Sequence, residues 1–401
     1  MNVLSLVLAS ATLPALGTNL APLGPGGTSW PFWDVTRSSG SWTRSGAVWR
    51  MELFGEGTPH PPYGKFVATW EGDGTMSIEG GKLGVTLPGS LEFEPGEGKV
   101  ELVFRGESAP QAKVTAPGYD PSWAGLYRPV FLQRARLYPV LRLDSWRSIK
   151  GDGVAIPDLV ELLRETHSSP WLSVRAGTTV EETKVEIAQW AALLPTGATV
   201  ILDVGAMETD FAAHFAAARV GLGSERTLVR VLRLDSASAA AAAEVAGRVS
   251  ASDADALSVP MRFGRTTSAS KPAEAAACLA SLGNEVDALL AEAKEVRDSI
   301  RRNRWDLLCH DGGLELPNPA GATQEQKDML DGVARDPAMN GLYLKLLRGW
   351  RQLDGSLFCH ASDCAPLFVQ NRAGALEWIE QDTMASPRRA ALVEFALFPD
   401  R

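Results

Sequence analysis

The chain has 401 residues, of which 45% are hydrophobic and 22% are charged, and its formal net charge is −9. This composition is typical of a soluble globular protein long enough for one large barrel plus a small module. The acidic balance argues against nucleic acid as the main partner, because phosphate binding needs a basic face. The sequence has no run of about 20 apolar residues that could span a bilayer.

The N-terminal segment, Met1 to Leu16, is apolar. It has no Lys or Arg ahead of the apolar run, whereas a secretion signal usually has one. We therefore expect a segment that is retained and docked on the protein. A short strand is predicted directly after it, at Ala15 to Ala21.

Residues 38–117 have a β pattern. Four short runs are separated by turns rich in Gly and Pro, for example Glu94 to Gly98: Ala47 to Glu52, Lys65 to Trp70, Gly84 to Leu87 and Lys99 to Phe104. Several short strands at this spacing predict a small antiparallel β-sandwich.

From about Leu126 onward, strands and helices alternate, which indicates βαβ units and a parallel sheet. The strand candidates are Val140 to Leu143, Trp171 to Arg175, Thr199 to Val204, Leu228 to Leu232, Ala256 to Pro260, Trp305 to Cys309 and Ser356 to His360. With the strand near residue 17 they make eight, enough to close a barrel. The predicted fold is a (β/α)8 TIM barrel with an inserted antiparallel β-sandwich. Residues 1–37 form the N-terminal segment and first strand, 38–117 the insertion and 118–401 the remaining barrel.

Several ordered pieces of the chain resemble a known family. They include Gly17 to Ala21, Arg142 to Trp146, Arg335 to Met339 and Gly355 to His360. Together they are similar to a glycoside-hydrolase-like (β/α)8 barrel family of bacteria and phages. In that family, strand four ends in Asn-Glu, whose Glu is the proton donor, and strand seven ends in Glu-Gly-Gly, whose Glu is the nucleophile. The resemblance implies carbohydrate chemistry without a cofactor.

The two strand ends depart from the family pattern. Ala206 and Met207 stand at the Asn-Glu position, and Asp311 replaces the nucleophilic Glu. A methionine cannot transfer a proton, and losing general acid help costs about 10²–10⁴ in rate. A retaining glycosidase also needs two carboxyl groups about 5–5.5 Å apart, and Asp311 is one methylene short. Glu208 is the candidate replacement acid. Adjacent strand residues point to opposite faces, so we expect Glu208 to point away and to cap the helix near Phe211.

Aromatic and polar residues near the predicted carboxyl face are candidate sugar contacts. Trp33, Trp123 and Trp146 have rings on which a sugar can stack, although structural packing is the default explanation for each of them. Arg142 and His360 match family positions and are predicted to line the cleft, with a buried, hydrogen-bonded His as the alternative for His360.

Cysteine and histidine also end neighbouring strands, at Cys309-His310 and Cys359-His360, with Cys364 close by. A zinc site, a disulfide from Cys359 to Cys309 or Cys364, and inert thiols are all compatible with this pattern. The CxxC spacing of many zinc sites is absent, so we predict no metal. His310 is expected to face the helix layer.

The sequence therefore predicts a catalytically degenerate glycosidase-like protein with a structural or carbohydrate-binding role. Because the resembling family includes phage-encoded members, a virion component of the tail or capsid surface is expected, with a virion or extracellular location. The expected partners are a glycan, other virion subunits or further copies of the chain. The alternative is an active retaining glycoside hydrolase with Asp311 as nucleophile.

Overall fold

A computed structural model describes residues 16–25, 27, 29–56, 63–119, 125–147, 153–365, 372–377 and 379–398. Trp123 and nearly all of the N-terminal segment lie outside these ranges, so the predictions made for them stay predictions.

Eight parallel strands form a closed barrel in chain order, which confirms the predicted fold. The first strand closes the ring, because Gly17 pairs with Val140 on one side and with Cys359 on the other. The barrel strands are β1 (Leu16–Asn19), β10 (Val140–Arg142), β11 (Ser169–Ser173), β12 (Thr199–Gly205), β13 (Thr227–Arg233), β14 (Ala256–Phe263), β15 (Asp306–Leu314) and β16 (Gly355–His360). A short parallel pair, β17 (Ser362–Cys364) and β18 (Gly374–Leu376), follows the last barrel strand.

Helices follow the barrel strands and cover the outside of the sheet. Capping boxes begin two of them, at Thr179 with Glu182 and at Thr323 with Gln326, where side chains satisfy the first free N–H groups. None of the helices in the described ranges is long and apolar enough to cross a membrane. They are α1 (Pro129–Ala135), α2 (Ile156–Thr166), α3 (Val180–Leu193), α4 (Phe211–Leu222), α5 (Ala239–Arg248), α6 (Arg265–Ala269), α7 (Ala275–Ile300), α8 (Gln324–Arg335), α9 (Ala338–Gln352) and α10 (Pro387–Leu397).

The barrel interior is filled by its own side chains. Alternate residues of seven strands point inward, as a strand's two-residue period requires. They form an apolar cluster separate from the larger core under the helices: Val140, Trp171, Ile201, Val229, Val231, Ala256, Leu308, Leu357 and Cys359. The barrel is thus a packed core, and a ligand on the barrel axis would have to bind above this layer, where the carboxyl ends of the strands form the usual site of such barrels.

The insertion between β1 and α1 is a sandwich of two four-stranded antiparallel sheets, as predicted. One sheet has the order β2, β3, β8, β5 and the other β6, β7, β4, β9. Asp34 ties the insertion to the chain before it, because its carboxylate accepts from the backbone N–H groups of Thr36 and Val114, each at 3.1 Å. The strands are β2 (Thr43–Ser45), β3 (Val48–Phe54), β4 (Phe66–Glu71), β5 (Gly74–Glu79), β6 (Gly81–Leu87), β7 (Ser90–Pro95), β8 (Val100–Gly106) and β9 (Gln111–Thr115).

A β-bulge interrupts β15 where the candidate nucleophile lies. Cys309 pairs with Val259 while Asp311 pairs with the next residue of β14, so His310 is an extra residue. Cys309 faces the helix layer, and a Cβ built on Gly312 would lie 2.8 Å from its sulfur, so Gly312 faces the same side. The two residues between them therefore share the interior side. The expectation that His310 faces the helices was wrong, because it assumed unbroken alternation.

Candidate active site

The carboxyl ends of the barrel strands bring charged side chains together above the apolar interior. We call this region the barrel mouth. It contains two groups of interacting residues. The Asp203 network comprises Arg142, Asp144, Ser173, Asp203 and Arg233, and the Arg262 bridge comprises Arg262, Asp311, Glu315 and Arg265.

Asp203 is the centre of the first group and is fully buried. Its carboxylate accepts hydrogen bonds from Trp171 Nε1 and Arg233 Nη1, each at 2.7 Å. The guanidinium of Arg142 lies 3.5 Å away. Burial raises the pKa of Asp203 even though Arg142 and Arg233 act to lower it. Buried carboxylates with several donors are a means of fixing neighbouring side chains, and here two arginines are oriented in this way.

The Ser173 hydroxyl lies between two carboxylates. Its oxygen is 2.6 Å from Asp144 Oδ2 and 2.6 Å from Asp203 Oδ2, and Arg142 Nη2 donates to it at 2.9 Å. Burial alone would raise the pKa of Asp144, but Arg142 and Arg147 hold it below its usual value. A hydroxyl has one hydrogen and can donate to only one of the two carboxylates. The hydroxyl therefore donates to one of the two carboxylates, and the positive charges of Arg142 and Arg233 offset the close approach of the other.

The Arg262 bridge lies on the other side of the mouth. The Arg262 guanidinium donates to Asp311 through Nη2 and lies 3.2 Å from Glu315 through Nη1. Arg265 contacts the same Glu315 at 2.5 Å. Burial raises the pKa of Asp311 against the opposing effect of Arg262. Burial also acts to raise the pKa of Glu315, but Arg265 and Arg262 bring it below its usual value. The guanidinium thus lies between the two carboxylates.

Several buried polar atoms of the mouth have no hydrogen-bond partner among the residues that the structure describes. Such atoms are uncommon in folded proteins, where buried donors and acceptors are usually satisfied by protein, water or ligand. His310 is one of them. Burial and three nearby arginines hold its pKa well below the usual value, so it is neutral near pH 7. The buried polar atoms of the mouth without a partner in the described chain are Arg142 Nε, Ser258 Oγ, Arg262 Nε, His310 Nδ1 and Asp311 Oδ1.

The end of β12, where a proton donor was sought, turns away from regular strand geometry. Ala206 is buried, and Met207 is 57% exposed, with its sulfur 3.8 Å from Arg248 on α5. Glu208 donates its N–H to the Gly205 carbonyl, and a Cβ on Gly205 would lie 3.2 Å from Glu208 Cγ. Gly205 is paired with Arg233, which faces the interior, so Glu208 curls back over the mouth side. The expectation that it points away was wrong, because the chain forms a turn there, and Asp210 precedes α4 as its cap residue.

The predicted sugar contacts are mostly buried. Trp146 is buried and donates through Nε1 to the Ala21 carbonyl at 2.7 Å. His360 is fully buried, with Nδ1 2.7 Å from the Ser362 carbonyl oxygen. It faces the helix layer and not the mouth, which corrects the prediction that it lines the cleft.

The two other candidate sugar contacts that the structure describes, Trp33 and Arg142, are only partly buried. Trp33 is half-buried, edge-on to Tyr119 at a ring distance of 5.5 Å. Arg142 is held by the Asp203 network at the mouth. Sugar binding by these residues stays a prediction.

The four cysteines are buried thiols that form no disulfide in the described chain, so neither of the disulfides considered from the sequence forms. Burial raises the pKa of Cys359 well above its usual value, which keeps this thiol protonated and unreactive. Within the described residues, no three His, Cys, Asp or Glu side chains group in a way that could hold a metal ion.

Sequence reasoning missed the residues that dominate the mouth: Asp203, Arg233, Arg262 and Glu315. Asp203 could have been found, because it lies two residues after Ile201 and so faces the interior with it. Arg262 likewise lies two residues after Pro260 and four after Ser258, so strand alternation places it on the interior face with them. The contact of Arg262 with Asp311 depends on the bulge in β15, which no local pattern signals.

The chain matches no family model and no curated protein. Among solved structures it resembles the GH51 arabinofuranosidase from Xanthomonas axonopodis pv. citri, with 13% identity, 60% of this chain and 63% of that chain covered, and a TM-score of 0.45. It also resembles the family 51 α-L-arabinofuranosidase from Bifidobacterium longum, with 11% identity, 70% of this chain and 68% of that chain covered, and a TM-score of 0.48. A third similar structure is an orotidine 5'-phosphate decarboxylase from Pyrococcus horikoshii, with 10% identity, 66% of this chain and 92% of that chain covered, and a TM-score of 0.34. The chain thus spans under two thirds of the first structure. At these values the similarity concerns the barrel architecture and does not distinguish between activities.

Proposed function

We propose that this protein is a catalytically degenerate, glycosidase-like barrel that binds carbohydrate at its mouth. The observation that supports this most is the position of Arg262 between Asp311 and Glu315. In a retaining glycosidase, the anomeric carbon must reach the nucleophile while a second carboxyl group lies about 5–5.5 Å away. Here the Arg262 guanidinium occupies the space between the carboxylates of Asp311 and Glu315. It binds an oxygen of Asp311, the residue at the nucleophile position.

The end of β12 supports the same proposal. Met207 carries no transferable proton, and its side chain is directed toward α5. Glu208 does lie on the mouth side, but it is exposed to solvent at the rim. Glu208 therefore lacks the burial that favours the neutral form of a general acid.

Binding of a polyhydroxyl ligand is favoured by the polar atoms of the mouth that have no partner in the described chain. Arg142 Nε and Arg262 Nε are donors, Asp311 Oδ1 is an acceptor, and Ser258 Oγ and neutral His310 can serve as either. Sugar hydroxyls donate and accept, so they match such a mixed set. Association with a virion, with other virion subunits or with further copies of the chain, and a virion or extracellular location, belong to the same proposal and rest on the family resemblance alone.

An active retaining hydrolase is the alternative, with Asp311 as nucleophile. One observation favours it: the pKa of Asp311 is raised while that of Glu315 is lowered. Two carboxyl groups whose pKa values are pushed apart are typical of acid–base pairs. This activity would require Arg262 to leave the space between them when substrate binds.

Reducing-sugar release over a broad polysaccharide panel, combined with affinity electrophoresis in gels containing the same polysaccharides, tests both readings. The variants are Asp311→Ala and, as an acidic control away from the mouth, Asp298→Ala at an exposed position of α7. The proposal predicts no release from any protein, and retardation that Asp311→Ala weakens and Asp298→Ala leaves unchanged.

Two other outcomes would contradict the proposal. Sugar release by the unaltered chain that Asp311→Ala abolishes would establish a working hydrolase. The absence of both release and retardation would exclude carbohydrate binding by the mouth for every polysaccharide in the panel.

A further inference from the structure

A cavity separate from the barrel mouth lies to the side of the barrel axis, at the carboxyl end of β11. Its volume is about 720 Å³, which is large enough for a mono- or disaccharide. We call it the side cavity. Its lining includes Ser173 and the loop after it, the first turns of α3, and Arg147 from the segment after β10.

Two guanidinium groups line the side cavity and are incompletely neutralised. The Arg147 side chain is 4% exposed, donates through Nη2 to the Ser173 carbonyl at 2.7 Å, and has an Nε without a partner in the described chain. Arg175 donates through Nη2 to the carbonyl oxygens of Asp144 and Arg147, each at 2.7 Å. No carboxylate in the described part of the chain lies within ion-pair distance of Arg175. Carbonyl groups orient a guanidinium but do not balance its charge.

The acidic residues around the side cavity are engaged to different degrees. Glu181 pairs with Lys184 at 3.2 Å. Glu182 accepts from the backbone N–H and hydroxyl of Thr179 in the capping box, and these bonds lower its pKa. Glu186 remains, and its closest contact is Arg147 Nη1 at 3.5 Å, which is long for a charge-assisted hydrogen bond. Among these three residues, Glu186 alone contacts Arg147, so it is the carboxylate that an incoming oxyanion would compete with.

We propose that the side cavity binds a small sugar that carries an oxyanion, either a carboxylate or a phosphate. The oxyanion would bind the Arg147 guanidinium at the edge formed by the unpartnered Nε and the adjacent Nη2, which can accept a forked ligand, with Arg175 adding a second positive charge. The apolar side chains of Val174, Val185 and Leu202 in the lining suit the C–H face of a sugar ring. The inference is independent of the proposed function, because it involves neither Asp311 nor Arg262.

Isothermal titration calorimetry with three matched sugars tests the proposal: glucuronate, glucose 6-phosphate and uncharged glucose. We expect binding of at least one anionic sugar and none of glucose, and the stronger of the two anions identifies the oxyanion. Glu186→Gln removes the competing anion, and we expect it to tighten binding about three- to tenfold, the effect of one partly screened charge. Glu181→Gln is the control, since Glu181 lines the same cavity but pairs with Lys184; it should change affinity less than twofold.

Two further variants fix the location of the site. Arg175→Gln should weaken binding by about tenfold or more, as loss of a charged hydrogen-bonding group does, and circular dichroism reports whether it folds. Asp311→Ala should leave this affinity unchanged, so the side cavity and the mouth are tested separately. Binding of neither anionic sugar would overturn the inference. So would binding that Glu186→Gln fails to tighten, a result that remains informative even if Arg175→Gln does not fold.

Discussion

Replacing Arg262 with Met tests whether this arginine neutralises the two carboxylates of the Arg262 bridge. The substitution keeps an unbranched side chain and removes the charge that contacts Asp311 and Glu315. Breaking a fully buried ion pair from one side costs about 3–5 kcal/mol, whereas an exposed pair is worth about 0–1 kcal/mol. Arg262 is 32% exposed and its two partners are largely buried. We therefore expect a loss of about 2 kcal/mol in the free energy of unfolding at pH 7.5, between those limits.

The loss should depend on pH with a defined sign. The lowered pKa of Glu315 contributes stability above its unfolded-state value, and this stability disappears as the pH falls through the folded-state value. The pKa of Asp311 is already raised and rises further once Arg262 is gone, so ionising it costs the variant more at high pH. Both effects act in the same direction. We expect the deficit to be largest at pH 7.5 and to become smaller toward pH 4, because Asp311, whose pKa is raised, takes up a proton before Glu315, whose pKa is lowered.

Urea unfolding at the two pH values, followed by tryptophan fluorescence, measures this difference. Arg265→Met is the matched control, because Arg265 contacts the same Glu315 but is 73% exposed. It should cost less than about 1 kcal/mol at either pH. A deficit for Arg262→Met that is no larger than the control's, or that does not change with pH, would refute the assignment of Arg262 as the neutralising group.

Three further predictions concern groups away from the mouth. Burial raises the pKa of Asp363 to about 6, so the folded state binds its proton more tightly, and the free energy of unfolding should fall by up to about 3 kcal/mol as the pH rises from 4 to 7. Asp363→Asn should flatten that part of a urea-unfolding series. Leu308→Ala removes a side chain from the barrel interior and should cost about 2–5 kcal/mol, whereas Leu397→Ala at an exposed helix end should cost under about 0.5 kcal/mol in the same assay. A thiol-reactive dye should label no cysteine of the native protein and all four after unfolding, and labelling under native conditions would contradict their burial.

The barrel could be predicted because its elements carry strong local signals. The strand at Thr199–Gly205 is buried along nearly its whole length and appears in the sequence as an apolar run between helical segments. Boundaries were less predictable. The prediction ended one strand at Pro260, yet β14 continues to Phe263 because Met261 and Arg262 stay paired with β15 beyond the bulge. Pro260 has no N–H to donate, but it does not end the strand.

The sandwich was predicted from four of its eight strands. The strand at Gly74–Glu79 was missed, because most of its residues are polar or exposed and its alternation is weak. The strand at Gly81–Leu87 was recognised only in its second half, since it lies at a sheet edge with apolar side chains facing solvent. Local patterns report burial on one face of a strand, and edge strands with little burial carry less of this signal.

The barrel mouth contains features that could not be predicted from a single sequence. Strand parity placed Asp311 correctly on the interior side, but it placed His310 on the opposite one. The extra residue in β15 puts both on the same side, within reach of arginines from β10, β13 and β14. Those arginines are far apart in sequence, and their convergence follows only from closure of the barrel.

The charges of the mouth also limit the chemistry that it can perform. Double displacement needs one carboxylate oxygen free to attack and a second carboxyl group free to give a proton. Asp203 is fully buried and surrounded by donors, and Glu315 is held by two arginines. Asp311 has one oxygen on Arg262 and one, Oδ1, without a partner in the part of the chain described. A single unpartnered carboxylate oxygen can accept a hydrogen bond from a sugar hydroxyl. By itself it does not supply both halves of the reaction, which is why we propose binding rather than hydrolysis.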